Sequence, residues 1–132
     1  DGLFFNENTI YVTDSTNYGT SIFTVDAQIT EPGLVEVFGN TVIAQVDSLP
    51  VIFNISDAKN ANVSRNRFLY TNSVSANQAI NVRSNNDTIP AKSWVINDNI
   101  VVDDPGGSGA LFTTNSRNDT INHVSFSRNS IF

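Results

Sequence analysis

Hydrophobic residues recur along this chain in short alternating runs, each tied to one polar residue. Five stretches, Leu3 to Ile10, Val35 to Val42, Ala61 to Phe68, Trp94 to Val101 and Val124 to Ile131, align on Asn8, Asn40, Asn66, Asn99 and Asn129, which are 32, 26, 33 and 30 residues apart. Five positions before the Asn stand Leu3, Val35, Ala61, Trp94 and Val124; three before it, Phe5, Val37, Val63, Ile96 and Phe126; two after it, Ile10, Val42, Phe68, Val101 and Ile131. All fifteen are apolar. The step of two between the first two sets is strand periodicity. The next step is odd, so the chain must bend near the Asn to keep both side chains inside. Asn tolerates the left-handed region, which predicts the bend at the Asn itself. Stacked Asn residues are expected to hydrogen-bond along the stack.

A second strand family, Ile22 to Val25, Ile52 to Ile55, Ala79 to Val82 and Leu111 to Thr114, lies between these; Val25, Ile55, Val82 and Thr114 are 30, 27 and 32 apart. A weaker third set is Asp87-Thr-Ile89 and Asp119-Thr-Ile121. The connectors, Asn17 to Gly19, Glu31 to Gly33, Ser73 to Ala76 and Pro105 to Gly109, collect Gly, Pro and Ser. One period of ~30 residues carries too little strand to bury its own apolar side, whereas stacked periods bury a continuous column. No stretch sustains helical spacing. The main rival is a β-sandwich, which predicts frequent turns but not an Asn at one register of every coil. The chain therefore reads as one all-β segment, residues 1–132, of a right-handed parallel β-helix of about four coils, starting near residues 3, 35, 61, 94 and 124. The repeat runs to both ends without a capping element, so the chain is expected to be part of a longer solenoid or to stack on other subunits. Asp1 in place of Met is consistent with processing or excision.

Composition narrows the function. Only 15% of residues are charged and the net charge is −6; nineteen Asn, with Ser and Thr, supply the polarity. A basic patch is missing, which argues against nucleic acid and anionic membrane surfaces as partners. No apolar run is long enough for a membrane-spanning helix, so membrane insertion is not expected. With no Cys and one His, Cys-ligated zinc, iron–sulfur clusters and multi-His metal centres are excluded; no metal or cofactor is expected.

The repeated Val-x-Val-x-x-Asn-x-Ile pattern resembles the pectate-lyase superfamily of β-helices and, within it, phage tail-spike and tail-appendage proteins. The resemblance covers nearly the whole chain. It implies a homotrimer on the virion tail, outside the cell, that binds host surface polysaccharide and in some members cleaves it. The acidic and Arg motifs of plant-type pectate lyases have no clear copy here.

Candidate chemistry follows from stacking, which puts equivalent positions ~4.8 Å apart on neighbouring coils. One position before the Asn the column reads Glu7, Gly39, Arg65, Asp98, Arg128. Arg65, Asp98 and Arg128 form either a surface charge ladder or a sugar-binding or lyase face. Acids gather past the same strands at Asp14, Asp47, Asp103 and Asp104, but at different offsets from their Asn. Two such acids stacked on neighbouring coils could hold calcium or serve as the acid and the nucleophile or base of a glycosidase. Asp98, from the charged column, and Asp103 and Asp104 are the catalytic candidates, and the competing reading of Asp103-Asp104-Pro105-Gly106-Gly107 is a turn. His123 and Ser125 lack a third triad member. Tyr18 is a candidate sugar-stacking residue, Trp94 and four Phe (Phe5, Phe53, Phe68, Phe126) are assigned to the core, and sequons at Asn54, Asn62, Asn86 and Asn118 are expected by chance. Three functions remain: a glycan-binding module, a polysaccharide lyase or glycoside hydrolase of the same fold, and a structural stalk or self-released assembly fragment.

Overall fold

A computed structural model describes residues 2–13, 21–26, 33–44, 48–49, 51–70, 75–76, 79–84, 93–102, 112–116 and 123–132. Its strands are β1 (Gly2–Asn6), β2 (Thr9–Val12), β3 (Ser21–Asp26), β4 (Leu34–Phe38), β5 (Thr41–Ala44), β6 (Ser48–Leu49), β7 (Val51–Ser56), β8 (Asn60–Ser64), β9 (Arg67–Tyr70), β10 (Ser75–Ala76), β11 (Ile80–Ser84), β12 (Ser93–Asn97), β13 (Ile100–Val102), β14 (Phe112–Ser116), β15 (Val124–Ser127) and β16 (Ser130–Ile131). The described residues contain no helix.

The strands form three main parallel sheets. The first runs β1-β4-β8-β12-β15, the second β2-β5-β9-β13-β16 and the third β3-β7-β11-β14. Every neighbour in a sheet comes from the next period of the sequence. The pairing follows the Asn alignment: Leu3 opposes Val35, Val35 opposes Ala61, Ala61 opposes Trp94 and Trp94 opposes Val124. In the second sheet Ile10, Val42, Phe68, Val101 and Ile131 stack in the same way. Val25, Ile55, Val82 and Thr114 stack in the third. The Asp87 and Asp119 set lies outside the described residues. Ser75–Ala76, expected as a connector, instead pairs with Ser48–Leu49 in a short parallel ladder.

One cluster of buried side chains draws on all three main sheets, including Val35 and Trp94 of the first, Val42 and Phe68 of the second, and Phe53 and Ile55 of the third. Aromatic rings link them: Phe5 stacks on Phe23 at 4.4 Å, Phe23 meets Phe53 edge-on at 5.7 Å, and Phe53 meets Phe68 at 5.6 Å. Trp94 is fully buried and donates its indole N–H to the Ala58 carbonyl at 3.0 Å, satisfying its one polar atom. The fifteen aligned positions divide by place. Those of the three middle periods are buried, but Phe126, expected in the core, is 49% exposed, and Leu3, Val124 and Ile131 are exposed as well. These four lie on the outermost strands of their sheets, where a neighbouring strand covers one side only.

The bend between first and second sheets corrects one expectation. The left-handed residue is the one before the Asn: Glu7, Gly39, Arg65, Asp98 and Arg128 have φ of 57°, 67°, 57°, 58° and 52°. None is β-branched, as the left-handed region demands. The Asn is left for a different task. The Asn66 backbone N–H and Nδ2 both donate to Asn99 Oδ1 at 3.0 Å, and its Nδ2 also donates to the Val37 carbonyl at 2.9 Å. Asn8, Asn40 and Asn99 donate in the same paired way to Asn40, Asn66 and Asn129. Each carboxamide oxygen from Asn40 onward thus accepts two hydrogen bonds, and Asn40, Asn66 and Asn99 are buried. A buried amide has to be satisfied in this way.

Candidate functional site

The left-handed corner carries the charged column outward. Arg65 is exposed, and its guanidinium carbon sits 5.4 Å from the Phe38 ring centroid, within cation–π range. One sequence period on, Asp98 meets Arg128 in a two-point fork, with Arg128 Nε donating to Oδ1 at 2.6 Å and an Nη to Oδ2 at 2.8 Å. That hydrogen bonding, reinforced by the charges of Arg128 and Arg65, holds the Asp98 carboxyl below its ordinary value, while the same contact raises the Arg128 guanidinium. Asp98 is therefore ionised at neutral pH with both oxygens engaged. It has no proton to give, which is a poor state for a general acid. No group of three or more His, Cys, Asp or Glu among the described residues is placed to hold a metal ion.

Of the sequence candidates, the fold brings Arg65, Asp98 and Arg128 into one column. Tyr18, Asp103 and Asp104 lie outside the described residues, as do Asp14 and Asp47. His123 is exposed, and its carbonyl accepts from the Trp94 N–H at 3.0 Å. Ser125 Oγ donates to Asn97 Oδ1 at 3.2 Å.

A second surface escaped the sequence reading: the outer face of the first sheet. It is built from positions four and two before each Asn, so it alternates with the buried positions of the same strands. Asn6 Nδ2 donates to Glu36 Oε1 at 2.6 Å, Asn62 Nδ2 donates to Glu36 Oε2 at 3.3 Å, and Ser64 Oγ donates to Asn62 Oδ1 at 2.6 Å. Further along, Asn97 Oδ1 accepts from the Ser125 and Ser127 hydroxyls and from the Ser127 backbone N–H. Beside Glu36 stands Phe4, 61% exposed. The signal for this face was present in the sequence as polar residues at two fixed offsets, Glu36, Asn62 and Ser125 at one and Asn6, Ser64, Asn97 and Ser127 at the other.

The face and the charged corner adjoin, because each strand of the first sheet ends at its left-handed residue. Together they offer carboxamide, hydroxyl and carboxylate groups at one-strand intervals, with aromatic rings at Phe4 and Phe38. No protein-family model matches the chain, and neither a curated protein nor a solved structure matches it.

Proposed function

We propose that this chain is a segment of a right-handed parallel β-helix from a phage tail spike or tail appendage, and that it binds host cell-surface polysaccharide. Three parallel sheets sharing one buried cluster support the helix reading, since a chain that visits each sheet once per period is winding round a common core. Parallel crossover connections are right-handed in about 98% of cases, which supports the hand. The resemblance of the Asn-centred repeat supports the tail-spike assignment, and with it a homotrimer on the outside of the virion.

The observation that carries the binding function is the periodic polar face of the first sheet. A polysaccharide repeats its hydroxyls along its length, and this surface repeats hydrogen-bonding groups along the stacking direction. Shallow, repeated hydrogen bonds with a few aromatic contacts suit such a ligand better than a deep pocket suits it. The arrangement favours binding over cleavage, because Asp98, the described catalytic candidate, is engaged by Arg128 through both oxygens.

The test is to incubate the chain with host capsule or wall polymer, then measure retention together with release of reducing ends and unsaturated uronate absorbance. Retention without new ends is expected. Appearance of either product would replace the binding module with an enzyme of the same fold, and absence of retention would remove the glycan reading.

A further inference from the structure

We propose that Phe4 and Glu36 form a subsite for a single neutral pyranose unit, a proposal that rests on the glycan-binding reading and specifies its ligand class. Phe4 and Glu36 are opposed on neighbouring strands β1 and β4, so both side chains stand on the outer face of the first sheet, about 4.8 Å apart at the backbone. The Phe4 ring is laid along its own strand over Gly2: a Cβ at position 2 would come within 2.8 Å of Phe4 Cζ. Glycine there lets the ring lie down against the backbone as a platform, while the ring remains 61% exposed. The weakly polarised C–H groups on one face of a pyranose pack on such a platform.

At the edge of the platform, the Glu36 carboxylate is oriented from two sides. Asn6 Nδ2 donates to one oxygen at 2.6 Å and Asn62 Nδ2 to the other at 3.3 Å. Each oxygen keeps a second lone pair, a suitable acceptor for sugar hydroxyls. The same carboxylate sets the charge class of the ligand. It repels a uronate or other acidic sugar. Among the described outer-face residues of the first sheet, Glu36 is the one charged side chain, and Arg65 from the adjoining corner is seated over Phe38. The subsite therefore selects a neutral sugar over an acidic one.

Amide chemical shifts of the 132-residue chain, titrated with cellohexaose as the neutral probe and hexagalacturonate as the anionic one, test this. The unmodified chain is expected to bind the neutral probe more tightly, with shifts centred on β1 and β4. Phe4→Ala, which removes the platform, and Gly2→Ala, which tilts the ring without removing it, are each expected to weaken neutral binding about three- to tenfold. Glu36→Gln is expected to narrow the preference between the probes. Neutral binding unchanged in both Phe4→Ala and Gly2→Ala overturns the subsite, as does a preference for the anionic probe. Absence of binding to either probe also overturns it, and retention of host polymer in the assay above then shows that the wider glycan reading survives on other parts of the face.

Discussion

Asn66 is held on both sides by its own kind, and its removal should be costly. Its Oδ1 accepts from the Asn40 backbone N–H and Nδ2, and its Nδ2 donates to Asn99 and to the Val37 carbonyl. Asn66→Ala leaves several buried polar groups without a partner, each costing about 1–3 kcal/mol. A loss of about 3 kcal/mol or more is expected in urea unfolding, and a smaller one for Asn129→Ala, whose site is half-buried. The left-handed corner makes a separate prediction. A Cβ at Gly39 would meet only Glu7 Cγ, at an ordinary 3.5 Å, so space does not limit substitution there. Conformation does, since φ is +67°. Gly39→Val should therefore destabilise by about 1–3 kcal/mol, while Gly39→Asn, which tolerates this region, should cost much less. Equal effects of the two would contradict the backbone argument.

The strand ladders determine which substitutions matter at the scale of elements. Val63 on β8 is buried with a strand on each side, whereas Phe126 on β15 has one neighbour. Val63→Ala should cost more than its small lost volume suggests, and Phe126→Ala less than the about 3–5 kcal/mol of a fully buried Phe. The Asp98–Arg128 pair joins the β12–β13 corner to the β15–β16 corner across one strand step. Asp98 is lowered when folded, so the pair's contribution is present above the ordinary carboxylate value and is lost as pH falls through the folded one. The difference in unfolding midpoint between the unmodified chain and Asp98→Asn should shrink as pH drops below about 4, and high salt should shrink it at neutral pH because the pair is exposed. The sequence made the strands and their register legible because the inward residues are apolar at fixed steps from an Asn. It hid the left-handed position, because Glu7, Arg65, Asp98 and Arg128 mark that column as charged surface and only Gly39 carries a conformational signal, while the shared lack of β-branching is a weak one. The polar offsets of the outer face were present in the sequence, but its contacts were not legible, since Glu36, Asn6 and Asn62 meet only when strands 26 to 32 residues apart are set side by side.

The whole molecule turns one sequence period into a surface with the same period. The groups buried inside and those offered outside alternate along the same strands, so the register that stacks Val35 on Ala61 and Ile96 on Phe126 also builds the Glu36 and Asn97 clusters on the other side. The proposed glycan-binding face is a consequence of strand pairing, and it stands or falls with the register. The chain has no cysteine, so pairs of introduced ones report register without background. Thr41 and Arg67 are opposed on neighbouring strands β5 and β9, and Arg67 is opposed in turn by Ile100 on β13. A disulfide needs Cα atoms about 4.4–6.8 Å apart, which one strand step meets and two steps, at about 9.6 Å, do not. Under mild oxidation the Thr41→Cys/Arg67→Cys chain should cross-link readily, and the Thr41→Cys/Ile100→Cys chain should not. Rapid cross-linking of the second pair, or none in the first, would contradict the stacked parallel register.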